Sequence, residues 1–142
     1  MSQKLKIAFM ADDNNEAVAR AKEYLRKNHD VTEIPQSNNW AAIAKEVAKL
    51  VAVKEVDYGV LMCWTGTGTA IAANKVKGVR AATVIDAWTA RGARLWNDAN
   101  VIALSHKRLA TDVVVECLEA FLSVESPDPD EVENIKMIEE DL

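Results

Sequence analysis

The chain has 142 residues, a formal net charge of -5 at pH 7 and a sequence pI near 5.1. This length suits one domain with one core, and the acidic balance argues against a nucleic-acid or membrane surface, which would carry a basic patch. Two isolated cysteines, Cys63 and Cys117, form neither a CxxC motif nor a disulfide framework, which disfavours structural zinc. With no signal-peptide pattern at the amino terminus, the sequence predicts a cytoplasmic protein that acts on a small molecule.

Five apolar runs predict the strands of a buried parallel sheet, because each is short and bounded by polar or turn residues. In chain order these strands cover residues 5–11, 30–35, 57–63, 79–85 and 100–105. Each strand is followed by a segment with apolar residues at helical spacing. The predicted helices cover residues 16–27, 40–51, 68–76, 87–96 and 111–123, with Trp40 on the apolar face of the second.

The strict alternation of strand and helix predicts a doubly wound α/β fold, a three-layer α/β/α sandwich around a five-stranded parallel sheet. Neither a repeat nor a long linker marks a second domain, so residues 1–142 are expected to form one domain with a core over 5–123. The tail, residues 128–142, predicts one more helix with Asp128 as its cap. Its narrow apolar stripe must cover either its own domain or, as we expect, a partner subunit.

Ligands of such folds bind beyond the carboxyl ends of the strands, which singles out the loops 12–15, 63–67 and 85–88. In the second loop, Gly66 and Gly68 allow a tight turn whose amide N–H groups point outward beside the positive end of a helix. This turn is expected to bind an anion. It is neither a Walker A loop nor a dinucleotide fingerprint, so nucleotide binding is disfavoured. A turn that merely joins strand to helix is the alternative.

Cys63 is the last residue of the third predicted strand, beside this turn, where the helix dipole favours a thiolate. A thiolate here would act as a nucleophile or as a base. The alternative is a small buried hydrophobe, which is how we interpret Cys117. A Cys–His pair is not predicted, because His29 falls near a helix end and His106 after the fifth strand.

The segments LMCWTGTGTAIAANKVKGVRAA, residues 61–82, and NDANVIAL, residues 97–104, resemble the type B ribose-5-phosphate and galactose-6-phosphate isomerase family. The resemblance covers most of residues 5–123. It implies an aldose–ketose isomerase of sugar phosphates without metal or organic cofactor, and a homodimer or dimer of dimers with sites shared between subunits. In that family the cysteine at the position of Cys63 moves a proton between C1 and C2, and the backbone of the turn at 65–68 holds the enediolate oxygens.

The same resemblance implies roles for other residues. Asp12 matches an acid that binds sugar hydroxyls, and Asn97 matches an Asn at the O1/O2 side of the substrate. Lys107 stands where the family has a phosphate-binding arginine, and Thr65 matches a threonine that assists ring opening. The alternative is that these residues have only structural roles. Asp12 would then cap a helix, Asn97 and Thr65 would stabilise turns, and Lys107 would be a solvated surface residue. The predicted catalytic residues are Cys63 and Thr65, and the predicted substrate-binding residues are Asp12, Asp13, Trp64, Gly66, Thr67, Gly68, Asn97 and Lys107.

Five site positions differ from the ribose-phosphate pattern. Asp13 replaces a His, Asn14 and Asn15 replace Ala-Gly, Trp64 replaces a Gly, and Trp96 replaces the His that opens the furanose ring. An acidic tail also replaces the family's basic one, which leaves three candidates for phosphate charge, Arg91, Arg94 and Arg108. We therefore expect a short or unusual sugar phosphate, as in a tetrose-phosphate branch, rather than ribose 5-phosphate. The alternative is a catalytically inactive sugar- or anion-binding subunit of a two-component isomerase.

Overall fold

The computed structural model describes residues 3–141, so residues 1, 2 and 142 of the expected domain lie outside the described part. The strands are β1 (Lys6–Ala11), β2 (Asp30–Glu33), β3 (Tyr58–Cys63), β4 (Ala81–Thr83) and β5 (Val101–Ser105). The helices are α1 (Glu16–Asn28), α2 (Trp40–Ala52), α3 (Gly68–Ala73), α4 (Ala87–Asn97), α5 (Thr111–Leu122) and α6 (Val132–Glu139). Within residues 3–141, none of these helices is long and apolar enough to cross a bilayer.

The strands form one parallel sheet in the order β2-β1-β3-β5-β4. Successive side chains of a strand point to opposite faces, so Val60 packs in one core and Leu61 in the other. Helices α1, α4 and α5 cover the face of Val60, and α2 and α3 cover the face of Leu61. These contacts confirm the predicted doubly wound three-layer fold.

Strand β4 and helix α3 are the elements that fall furthest short of their predicted lengths. Strand β4 has three residues rather than seven, because it lies at the sheet edge and pairs with β5 alone. Helix α3 ends at Ala73 because the Asn74 side chain bonds the start of β4. Its Oδ1 accepts from the Ala81 N–H at 2.8 Å, and its Nδ2 donates to the Ala81 carbonyl at 3.0 Å. These two bonds hold the end of α3 next to the start of β4.

The tail helix packs on its own chain. Asp128, the predicted cap, instead caps the 3₁₀ turn Pro129–Glu131 that leads into α6, accepting from the Asp130 N–H at 2.9 Å, and the N-cap of α6 itself is Glu131. The turn and α6 contact α4, and Arg80 Nη1 donates to Glu139 Oε1 at 2.7 Å. Of the apolar stripe, Val132 is still 38% and Ile138 53% exposed. Packing of this stripe on a partner subunit stays a prediction.

Arg94, a candidate for phosphate charge, is instead a buried structural residue at 2% exposure. Its Nη1 donates to Asp98 Oδ1 at 2.9 Å and to the Ala99 carbonyl at 2.8 Å. Its guanidinium carbon lies 4.8 Å from the ring centroid of Tyr58. These contacts engage the Arg94 guanidinium and hold the end of α4 against the core. Arg94 is therefore not available to bind a substrate phosphate.

Candidate functional site

A cavity of about 900 Å³ opens at the carboxyl ends of β1 and β3. Seven of the ten predicted site residues line it: Asp12, Asp13, Cys63, Trp64, Thr65, Thr67 and Gly68. Sequence reasoning missed the rest of the lining, Gln36, Ser37, Asn38 and Trp40. The first three belong to the loop after β2, which also lies at the carboxyl end of a strand, where ligands of such folds bind. Trp40 was expected in the core, but its ring is 43% exposed and forms part of the cavity wall.

Cys63 lies in the cavity wall with two polar groups directed at its sulfur. The side chain is 5% exposed, and its Sγ accepts a hydrogen bond from the Gly66 N–H at 3.2 Å. The hydroxyl oxygen of Thr69, fully buried in α3, lies 3.2 Å from the same sulfur. The sulfur of Cys63 thus faces both the cavity and a backbone N–H donor, unlike that of a cysteine packed only among apolar groups. Thr69 was not among the predicted residues.

Cys117 has the opposite surroundings. It is fully buried in α5, and both cysteines are free thiols. Burial, followed by the negative charges of Asp86 and Glu116, raises the pKa of Cys117 to about 11. This thiol therefore stays neutral at physiological pH, as its interpretation as a buried hydrophobe requires.

The turn after Cys63 depends on Gly66, which has a φ of +76°. A Cβ there would lie 3.1 Å from the Leu104 carbonyl carbon of β5. The turn differs from the expected one with outward-pointing amides, because two of its N–H groups are bonded within the chain. The Gly66 N–H is directed at sulfur, and the Thr67 N–H donates to Thr65 Oγ1 at 3.3 Å. Binding of enediolate oxygens by the backbone of this turn stays a prediction.

Gly68 has a steric role at the mouth of the cavity. A Cβ on Gly68 would lie 2.9 Å from Cζ3 of the Trp40 ring. The absence of a side chain at the first residue of α3 thus allows the Trp40 indole of α2 to pack against the turn. Gly68 shapes the cavity by admitting Trp40.

A buried histidine, His106, which the sequence analysis did not assign to the site, lies behind Asp12 of the cavity. His106 follows the last residue of β5, and because β5 pairs with β3, its N–H donates to the Cys63 carbonyl at 3.0 Å. Its Nε2 lies 2.7 Å from Asp12 Oδ1. The cap of α1 is Asn15 rather than Asp12, and its side chain accepts from the Val18 N–H at 3.0 Å. The position directly after a strand was the signal that should have identified His106.

Charges of opposite sign lie on the two sides of Trp64. Asp12 and Asp13 line the main cavity, whereas Trp64, Thr65, Lys107 and Arg108 line an adjoining one of about 400 Å³. Lys107 Nζ lies 4.6 Å from the centroid of the Trp64 ring, a cation–π contact. Among residues 3–141, neither Lys nor Arg lines the main cavity. In the same range, no group of three or more His, Cys, Asp or Glu side chains is placed to hold a metal ion.

Two predicted regions lie away from Cys63 in the single chain. Asn97 is exposed at the end of α4 and lines a separate cavity of about 550 Å³ with Arg80 and the end of α6. The loop 85–88 follows β4, which β5 separates from β3. In that loop Asp86 caps α4, accepting from the Thr89 N–H at 2.7 Å. A role for Asn97 at the site of Cys63 therefore requires a second subunit and stays a prediction.

The chain is similar to proteins of known families. A family model described as Ribose/Galactose Isomerase matches residues 7–138. The galactose-6-phosphate isomerase subunit LacB of Clostridium acetobutylicum is 39% identical over 72% of the chain, and D-erythrulose-4-phosphate isomerase 2 of Mycolicibacterium smegmatis is 33% identical over 65%. The match spans 60% of the length of each of these relatives. The ribose-5-phosphate isomerase B structure of Clostridium thermocellum has a TM-score of 0.88 at 28% identity, covering 94% of this chain and 95% of that one. The chain belongs to the ribose/galactose isomerase family.

Proposed function

We propose that the chain interconverts an aldose phosphate and a ketose phosphate, with Cys63 as the group that moves a proton between C1 and C2. The main support for the proposal is the position of the Cys63 sulfur in the cavity wall. This sulfur accepts a hydrogen bond from the Gly66 N–H and lies beside the Thr69 hydroxyl. Membership in the ribose/galactose isomerase family supports the same reaction class.

The proposed reaction needs one base and one place for negative charge. The Cys63 thiolate removes the proton from C2 of the open-chain aldose, the C–H electron pair forms the C1–C2 double bond, and the carbonyl electrons pass to O1. The resulting enediolate is neutralised as the proton returns to C1 and the hydroxyl proton of O2 moves to O1. The proposed donors to these oxygens are the Thr65 hydroxyl and those backbone N–H groups of the turn at 65–68 that neither the Cys63 sulfur nor Thr65 Oγ1 accepts.

The substrate that the cavity suits best is a short or unusual sugar phosphate. Asp12 and Asp13 offer acceptors to hydroxyl groups, and the indoles of Trp40 and Trp64 offer flat apolar surfaces to a carbon chain. The cations nearest the mouth, Lys107 and Arg108, lie beyond Trp64, so the phosphate is proposed to extend to that side. A relative named as an erythrulose-phosphate isomerase is in keeping with a four-carbon substrate.

An assay of the purified full chain alone tests this function. D-Ribose 5-phosphate, D-erythrose 4-phosphate, D-erythrulose 4-phosphate and D-galactose 6-phosphate are each incubated in D₂O and followed by NMR. We expect interconversion of at least one pair, with deuterium incorporated at the carbon that receives the proton. Absence of both turnover and deuterium exchange with all four sugar phosphates would contradict the proposal. That result would favour the alternative of a catalytically inactive subunit, which no observation on this site supports at present.

We also propose a homodimer or dimer of dimers in which Asn97 of one subunit completes the site of another. Asn97 is exposed at the end of α4, and the same helix exposes the edge-to-face pair Trp88 and Trp96, with ring centroids 5.5 Å apart. Such exposed indoles are typical of interface residues.

Mixing two inactive variants tests whether sites are shared. Cys63→Ala and Asn97→Ala are each expected to be inactive, whereas mixed dimers formed by co-expression contain one intact site of two. If the variants assort at random, the mixture should recover about a quarter of the wild-type activity. Light scattering gives the oligomeric state. If the protein is a dimer and the co-expressed variants are as inactive as either variant alone, Cys63 and Asn97 of one site belong to the same subunit.

A further inference from the structure

A buried histidine lies directly behind Asp12 of the cavity. The side chain of His106 is 0% exposed and that of Asp12 10% exposed, and His106 Nε2 lies 2.7 Å from Asp12 Oδ1. The backbone joins the pair to the proposed base, because the Asp12 N–H donates to the Met62 carbonyl at 3.2 Å and the His106 N–H donates to the Cys63 carbonyl at 3.0 Å. Asp12, His106 and Cys63 thus lie at the ends of three adjacent strands.

The hydrogen bonds of Asn15 determine which nitrogen of His106 carries the proton. Asn15 Oδ1 accepts from the Val18 N–H at 3.0 Å, so its amide nitrogen is the atom that faces His106. That Nδ2 donates to the His106 carbonyl at 3.0 Å and to His106 Nδ1 at 3.1 Å. Because Nδ1 accepts, the ring proton lies on Nε2 and is donated to Asp12.

Asp12 is therefore held as an acceptor. A donor on Oδ1 fixes the plane of the carboxylate, and its remaining lone pairs are available on the side that lines the cavity. An acceptor pairs with a hydroxyl and repels a carbonyl or phosphate oxygen. Since Asp12 follows β1, next to the end of β3, the hydroxyl it would meet lies close to the carbons that react at Cys63.

We propose that His106 is a positioning residue that holds Asp12 as the acceptor for a substrate hydroxyl adjacent to the reacting carbons, so that the site selects a polyhydroxy chain. This rests on the proposed isomerase function. His106 does not touch the substrate in this proposal and acts only through Asp12. Asn15 in turn fixes the tautomer that the role requires.

Two amide substitutions separate this role from simple packing. In His106→Gln the amide nitrogen can take the place of Nε2 and still donate to Asp12, whereas in His106→Asn the shorter amide ends at the place of Nδ1. For D-ribose 5-phosphate or D-erythrose 4-phosphate, whichever is turned over, we expect KM to rise about 10-fold or more in His106→Asn and to stay within about 3-fold in His106→Gln.

A deoxy substrate provides a readout that packing would not change. The wild type and His106→Gln should favour the normal substrate over its 3-deoxy analogue, and His106→Asn should lose most of this preference. His29→Gln is the matched control, since His29 is a buried histidine at the end of α1 that bonds the Leu5 N–H and faces another part of the molecule. Its KM and kcat should be unchanged.

The outcomes distinguish this inference from the function on which it rests. If the wild type is active and His106→Asn keeps its KM and its preference, the positioning role is wrong while the isomerase function stands. The same conclusion follows if His106→Gln behaves as His106→Asn does. If the wild type turns over none of the sugar phosphates, both the function and the role of His106 are overturned.

Discussion

Replacing Cys63 with alanine is expected to lower kcat for the sugar-phosphate interconversion by about 10²- to 10⁴-fold, the usual contribution of one placed proton-transfer group. The effect falls on chemistry rather than on binding, because Asp12, Asp13 and the two indoles still line the cavity. KM should therefore change little. Exchange of the C2 proton with D₂O, followed by NMR, measures the lost step directly.

Cys117→Ala is the matched control for this substitution. It also removes a thiol, but from the apolar side of α5, where the raised pKa keeps the sulfur neutral. Its kcat should equal that of the wild type, at the cost of some stability from the small cavity it leaves. Circular dichroism and thermal unfolding confirm that both variants are folded. Wild-type exchange in folded Cys63→Ala would show that another group is the base.

Replacing Gly66 with alanine is expected to lower both stability and kcat. Its φ of +76° puts an alanine in the left-handed region, which costs about 1 to 2 kcal/mol, and the added Cβ would meet the β5 backbone at 3.1 Å. The turn must move to relieve that contact, and the Gly66 N–H then leaves the sulfur of Cys63. Displacing the sulfur of the proposed base by about 1 Å lowers kcat by about 10²-fold. Denaturant unfolding and steady-state kinetics measure the two effects.

Gly78→Ala separates backbone strain from the steric contact. Gly78 has a φ of +88°, and a Cβ there would meet no atom within 4 Å. Its alanine variant should lose only the strain of about 1 to 2 kcal/mol and keep the wild-type kcat. If Gly66→Ala is no less active than Gly78→Ala, the turn does not set the position of the sulfur.

The sequence was sufficient to predict the order of elements, because buried parallel strands and amphipathic helices follow simple patterns of apolar residues. It could not define the ends of β4 and α3, which depend on an edge position in the sheet and on hydrogen bonds from Asn74 to Ala81. The packing of α6 on its own chain was not predicted either, because it involves residues far apart in the sequence, such as Arg80 and Glu139. The cytoplasmic location that two unpaired cysteines favour stays a prediction.

The site could be predicted where its residues are adjacent in the chain. Cys63, Thr65 and Thr67 lie in one turn, and all three line the cavity. His106 could not be paired with Asp12 without the strand order, since β5 lies next to β3 although β4 precedes it in the chain. Trp40 has the spacing of a core residue, but its ring lies at the cavity, where the absence of a side chain on Gly68 leaves room for it.

The position of β5 between β3 and β4 has a consequence for synthesis of the protein. Strand β4 is translated before β5, yet β5 is the one strand with which it pairs. A nascent chain synthesised as far as α4 can pair β1 with β2 and β3. Its β4 has no strand to pair with until β5 has been synthesised. Arrival of the fifth strand then completes the sheet and brings His106 to Asp12, so a translation product that ends before β5 lacks the pair that positions Asp12.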